Sequence, residues 1–135
     1  MKPALAGTLA VVAGFAVTAI GSIATDAALE AGSVFPRSPE AMTGTMFAVA
    51  CAYRGAFTIL GGYVAARLAP DRPMRHAAIL AMIGLLAGIA GVIGFYTVGE
   101  GKLGPAWYAF SIPLQAAPCV LLGGWLATRR LEEKR

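Results

Sequence analysis

A single arginine, Arg54, lies near the middle of a long apolar stretch and has the clearest chemical consequences in this sequence. At the centre of a membrane an arginine costs at least about 2.5–3.5 kcal/mol, so it needs partners at its own depth. Its guanidinium group offers five N–H donors, which suit carboxylates, carbonyl oxygens or anions. Two interpretations stay open: a contact for a substrate or ion, or a polar anchor that fixes helix packing.

Three polar residues are candidate neighbours of Arg54: the adjoining Tyr53, Asp26 and Gln115. At 1.5 Å per residue, Arg54 lies about 18 Å below the start of its helix, and Gln115 about 15 Å below the start of the last one. The same rise places Asp26 roughly 10–15 Å above Arg54. We therefore predict that Arg54 contacts Gln115, or the carbonyl of Leu114, more closely than it contacts Asp26.

Two prolines in the last apolar stretch support that prediction. Pro113 and Pro118 lack the N–H groups that the carbonyls of Ala109 and Leu114 would otherwise bind. The stretch is expected to bend there and to offer free acceptors to Arg54. Asp26 itself has two interpretations, a membrane carboxylate that takes up protons or a solvated acid near the membrane surface.

No residue pattern in the sequence indicates catalysis. We find no Ser/His/Asp set, no paired intramembrane carboxylates and no phosphate-binding loop, and we predict no catalytic residue and no cofactor. Cys51 and Cys119 fall inside apolar stretches without a Cys/His cluster, so we predict no metal site and interpret both as small core residues.

Composition decides which elements must hold these side chains. Of 135 residues, 58% are hydrophobic and 13% are charged, against roughly a quarter charged in soluble domains. So much apolar surface requires a lipid environment, because small domains bury only about two-thirds of their area. Four apolar stretches are each long enough to cross a membrane as a helix; they are Ala4–Ala28, Thr43–Ala69, His76–Val98 and Pro105–Thr128.

The positive charges predict the orientation of these spans. Eight Lys and Arg residues fall at the chain ends and in the second connection, and two fall in the other connections. The positive-inside rule then places both termini in the cytoplasm. The net charge of +4 is thereby assigned to topology, and no nucleic-acid partner is predicted.

The ends of the second and fourth spans look alike, Leu60–Arg67 against Leu122–Arg129, which suggests an internal repeat. Two hairpins, 4–69 and 76–128, would be related by a pseudo-twofold axis along the membrane normal, as in parallel-repeat transporters. General packing and interface rules would also explain the similarity. Small residues at helical spacing predict close helix contacts; the glycines assigned to packing are Gly14, Gly21, Gly61, Gly62, Gly84, Gly88, Gly91, Gly123 and Gly124.

A basic edge precedes the third span, where Arg72, Arg75 and His76 lie close together. Such a cluster attracts anionic lipid head groups, at about 1 kcal/mol per charge. The alternative is that these charges only set the topology.

The segments Tyr53-Arg54, Gly61-Gly62-Tyr63 and Ala65–Pro70, with Arg72-Pro73-Met74 and His76, resemble a pattern of small four-span bacterial inner-membrane proteins. The resemblance covers most of the chain. It implies a multi-pass protein of a bacterial inner membrane and implies no activity.

The sequence therefore predicts an all-α membrane protein of one domain, residues 1–135, with four transmembrane helices in two parallel-repeat hairpins. Short connections and few intramembrane polar groups favour a non-catalytic subunit, assembly factor or stabiliser of a larger membrane complex. Its expected partners are lipids and either another membrane protein or further copies of the chain. The alternative is a small oligomeric transporter or channel with Arg54 and Asp26 along its path.

Overall fold

The computed structural model describes residues 2–99 and 102–135, which form four long helices and no strand. All four helices are long and apolar enough to cross a membrane. The predicted all-α, four-span architecture is confirmed, and the chain is an integral membrane protein. The helices are α1 (Pro3–Ala31), α2 (Gly44–Leu68), α3 (Pro73–Val98) and α4 (Ala106–Glu132), with a short 3₁₀ helix at Pro39–Ala41.

The helix ends follow from local chemistry. Thr43 caps α2, because its hydroxyl accepts a hydrogen bond from the Met46 backbone N–H at 3.3 Å. Arg72, at φ 41°, turns the chain before α3, and Pro73 then occupies a first-turn position that needs no N–H donor. Pro113 lies inside α4, which continues through it without a break in the helix.

The helices pack in the cyclic order α1, α2, α4, α3. The parallel helices α2 and α4 share the largest interface, while α1 lies antiparallel on α2 and α3 antiparallel on α4. Helices α2 and α3 also touch across the bundle, whereas the described residues of α1 and α4 make no contact. A twofold axis along the membrane normal would make these last two pairs equivalent. The packing therefore gives no support to that axis.

The contacts of aligned glycines differ in the same way. A Cβ on Gly61 would meet Gly14 and Thr18 of α1, whereas a Cβ on Gly123 would lie 2.7 Å from the backbone nitrogen of Tyr63 in α2. Gly61 and Gly123 therefore face different neighbours, and the internal repeat stays a prediction from the sequence alone.

The half of the bundle that holds both chain ends and the α2–α3 connection, called here the terminal half, has the densest core. Gly62 lies against the Val120 backbone, and Gly124 lies against the Ala77 side chain. Such contacts need glycine, because a larger side chain would push the helices apart. The buried apolar core of this half consists of Val11, Ala65, Ala66, Ala77, Leu80, Ala81, Val120 and Ala127.

Most of the other predicted packing glycines also lie at helix contacts. A Cβ on Gly14 would be 2.8 Å from Ala65 Cβ, and Gly21 lies against the ring of Phe57. Gly84 and Gly88 face α4. Gly91 is the exception: nothing lies within 4 Å of where its Cβ would be, and the residue is exposed. The predicted packing role of Gly91 is wrong, because its open side borders a cavity rather than a neighbouring helix.

Candidate functional site

A polar cluster joins α1 to α2 in the other half of the bundle, called here the distal half. The Asp26 carboxylate of α1 accepts hydrogen bonds from two consecutive residues of α2, the Tyr53 hydroxyl and Nη2 of Arg54. Arg54 and Asp26 form an ion pair whose side chains are 31% and 30% exposed. The three residues, hereafter the Asp26 cluster, hold the first hairpin together with a charge-assisted contact.

The prediction that Arg54 prefers Gln115 or Leu114 to Asp26 is wrong. Nη2 of Arg54 donates a hydrogen bond to Asp26, and the described structure shows no such bond to Gln115 or to the Leu114 carbonyl. The side chain of Leu114 is 78% exposed and faces lipid. Depth along the helix axis was an incomplete guide, because helical side chains lean toward the N-terminus of their own helix. In antiparallel α1 and α2, Asp26 and Arg54 therefore lean toward each other and close the gap.

Gln115 belongs to a second polar contact, between α2 and α4. Its Oε1 atom lies 3.6 Å from the Cys51 Sγ, which donates to it and also lies 3.5 Å from Ser111 Oγ. The same Oε1 faces Gly55, where a Cβ would approach it to 3.1 Å. The four-residue spacing of Ser111 and Gln115 puts both on one face of α4, and this spacing was a signal available in the sequence.

A cavity of about 430 Å³ lies in the distal half between all four helices. Its walls are mostly apolar, with Phe15, Ile23 and Phe95 among the larger side chains. Its polar lining residues are Thr18, Ser22, Arg54, Thr58, Tyr108 and Gln115. Arg54 and Gln115, both predicted from the sequence as members of an intramembrane polar site, thus face one space without bonding to each other. Tyr108 and Ser22 were not selected, since neither carries a charge that marks it in an apolar stretch.

The cavity is closed toward the terminal half and open toward lipid. Leu80 and Val120, both buried in the core, form its floor. Its side opening lies between α1 and α3, where the lining residues Ile23, Ala87 and Gly91 are exposed. These three residues belong to α1 and α3, both apolar enough to cross a membrane, and Leu103 of the α3–α4 connection is a further exposed lining residue.

The basic edge at the start of α3 packs partly against α1, a contact that the sequence did not predict. The ring of His76 packs over Gly7 of α1, and its Nδ1 lies 3.3 Å from the Arg72 carbonyl oxygen. Arg72 and Arg75 remain exposed. Arg75 and His76 border a second groove together with Asp71, a residue of opposite charge to Arg75. Head-group binding at this edge stays a prediction.

The fold and the sites define a multi-pass integral membrane protein whose helices border a mostly apolar cavity with a few polar side chains in its wall. Comparison with family models, with curated proteins and with solved structures found no match to this chain.

Proposed function

We propose that this protein is a non-catalytic component of a larger assembly in a bacterial inner membrane, where it acts as a subunit, assembly factor or stabiliser. Association is favoured because the two charged side chains Asp26 and Arg54 bind each other within the first hairpin. The partner is another membrane protein or a further copy of the chain.

The Asp26 cluster is the observation that carries this proposal. Asp26 accepts from both Tyr53 and Arg54, so the opposite charges cancel inside the first hairpin. A transport path would need polar groups that continue across the bundle. The space beside Arg54 instead ends at Leu80 and Val120. These contacts support a stabilising role for the intramembrane charges.

Native mass spectrometry of the full chain, released gently from its own membranes, tests the association. We expect a complex of fixed stoichiometry that contains the chain together with a partner or further copies. The complex should survive Gly94→Ala, a change made where nothing lies within 4 Å of the new Cβ. A chain released only as a monomer would contradict the proposal.

Transport is the second candidate, favoured by one observation: Arg54 borders a cavity. Flux measurements on liposomes that contain the purified protein separate the two functions. Under the association proposal the liposomes show no flux above that of empty ones. Flux that is lost in Arg54→Lys, with the fold retained, would favour transport, because lysine keeps the charge but loses the planar donor fork.

The orientation is a further part of the proposal, with both termini in the cytoplasm. An impermeant maleimide added to intact cells should label Ser38→Cys and should not label Asp71→Cys or Glu133→Cys. All three positions are exposed. The unmodified chain is the control, because its Cys51 and Cys119 lie within helices. The opposite labelling pattern would reverse the assignment.

A further inference from the structure

The distal cavity carries an inference that goes beyond association. We infer that it binds an uncharged, largely apolar molecule that bears a carbonyl oxygen and enters from the lipid phase. The carbonyl oxygen would accept hydrogen bonds from Arg54 and Gln115, and the apolar body would lie between α1 and α3. Three features support this inference. Polar side chains in the cavity wall have hydrogen-bond donors without acceptors, the charge of Arg54 is already balanced by Asp26, and the cavity opens between α1 and α3.

The polar lining of the cavity supplies more hydrogen-bond donors than the protein satisfies. Arg54 has five N–H donors, and one of them binds Asp26 in the described structure. Its Nε is buried with no hydrogen-bond partner, which shows that the neighbouring residues supply few acceptors; the N–H groups left for a ligand are those of the two Nη atoms. Gln115 turns its Oε1 toward α2, which leaves its amide nitrogen free to donate. A ligand that fits this lining must bring an acceptor.

The charge balance of the site favours a neutral acceptor over an anion. The Asp26 carboxylate already neutralises Arg54 in the ion pair. A carboxylate or phosphate ligand would add an uncompensated negative charge close to Asp26, in surroundings where water cannot screen it well. A ketone or quinone carbonyl accepts the same hydrogen bonds without that cost.

Size and access fit a compact molecule delivered by the membrane. Cavities of about 300–1,000 Å³ hold small organic ligands, and this one measures about 430 Å³. Its opening between α1 and α3 faces hydrocarbon at Ala87 and Gly91. A molecule dissolved in the bilayer can therefore enter sideways without crossing a polar surface.

Benzophenone provides a direct probe, since it is uncharged and apolar, has one carbonyl group, and cross-links to nearby C–H bonds under ultraviolet light. The full chain in lipid nanodiscs should be labelled saturably, and peptide mapping should place the label on residues 15–23 and 84–95. An excess of 2-undecanone should compete, while undecane and undecanoate should compete weakly. Gln115→Leu should lower the affinity about fivefold, the effect of one neutral hydrogen bond.

A matched pair of glycines on α3 gives the specificity control. Gly91 and Gly94 both have open space where a Cβ would lie, but only Gly91 lines the cavity. Gly91→Leu should reduce labelling to background, and Gly94→Leu should leave it unchanged. Equal labelling of the two variants, or labelling that never saturates, would overturn the inference. Competition by undecane as strong as that by the ketone would remove the role of the carbonyl, and stronger competition by undecanoate would refute the neutral ligand.

Discussion

The terminal and distal halves of the bundle are held together by different means. In the terminal half, glycine and alanine bring helix backbones into direct contact, as at Gly62 against Val120. In the distal half, α1 and α3 leave the cavity between them and polar side chains bridge α1 to α2, while Gly88 of α3 still meets the Pro113 backbone of α4. The ion pair of Asp26 and Arg54 lies in the looser half.

The terminal half contributes most of the packing stability, whereas the distal half has room to adapt to a ligand. Close backbone packing stabilises membrane helices through dispersion contacts, which disappear if a side chain intervenes. Polar bridges are fewer, but they fix which helices pair and leave room for a ligand. The terminal half should therefore tolerate substitution poorly. The distal half should tolerate it at positions that face open space, such as Gly91 and Gly94, but not at Gly88, where a Cβ would meet Pro113.

The largest effect is expected at the α2–α4 contact of the terminal half. A Cβ on Gly123 would lie 2.7 Å from Tyr63 N and overlap the backbone of Ile59. Gly123→Ala should lower the free energy of unfolding by about 3 kcal/mol, since neither backbone can yield without separating the helices. This loss can be measured by following unfolding in mixed micelles as a denaturing detergent is added. Gly94→Ala, in open space, is the control; equal stability of the two variants would contradict the close packing.

A smaller loss is expected from breaking the ion pair. Asp26→Asn leaves the charge of Arg54 without its partner, and removal of one member of a buried pair costs about 3–5 kcal/mol. Because both side chains are about one-third exposed, we expect about 2 kcal/mol in the same unfolding assay. Glu30→Gln, at an exposed position of α1, should change stability by less than about 0.5 kcal/mol.

A double-mutant cycle sharpens this test. Adding Arg54→Gln to Asp26→Asn should restore part of the lost stability, because the unpaired charge is then gone. If Asp26→Asn changed the free energy of unfolding as little as Glu30→Gln, the ion pair would have no stabilising role.

The hydroxyl of Tyr53 should contribute less than the ion pair. Tyr53→Phe removes its hydrogen bond to Asp26 and keeps the ring. The expected loss is about 0.6–1 kcal/mol, the range found for interhelical hydrogen bonds in membranes. Tyr63→Phe is the matched control, since Tyr63 packs against the terminal core through its ring. A loss at Tyr63 as large as that at Tyr53 would show that removal of any tyrosine hydroxyl has this cost, and would contradict a specific role for the hydrogen bond to Asp26.

The smallest effect is expected at the opening of the distal cavity. Gly91→Leu and Gly94→Leu should each change the free energy of unfolding by less than about 0.5 kcal/mol, because both side chains enter open space. Thermal unfolding of the purified variants provides the measurement. A strong destabilisation by Gly91→Leu alone would show that α1 and α3 close over this site in the membrane, and the contrast between the halves would then fail.

The sequence by itself determined the four spans, their approximate ends and the membrane environment. Hydropathy and helix-breaking residues act locally, so Thr43 and Pro73 mark helix starts without knowledge of the neighbours. It also singled out Arg54, since a charge within an apolar stretch is costly wherever the helices pack.

Only the tertiary structure decided the partner of Arg54, the packing order of the helices and the existence of the cavity. Each depends on how helices are rotated and shifted relative to one another, which residue spacing along one chain does not encode. Asp26 meets Arg54 because their side chains lean toward each other in an antiparallel pair. Gly91 has the same helical spacing as the other glycines in the sequence, yet it faces open space beside the distal cavity.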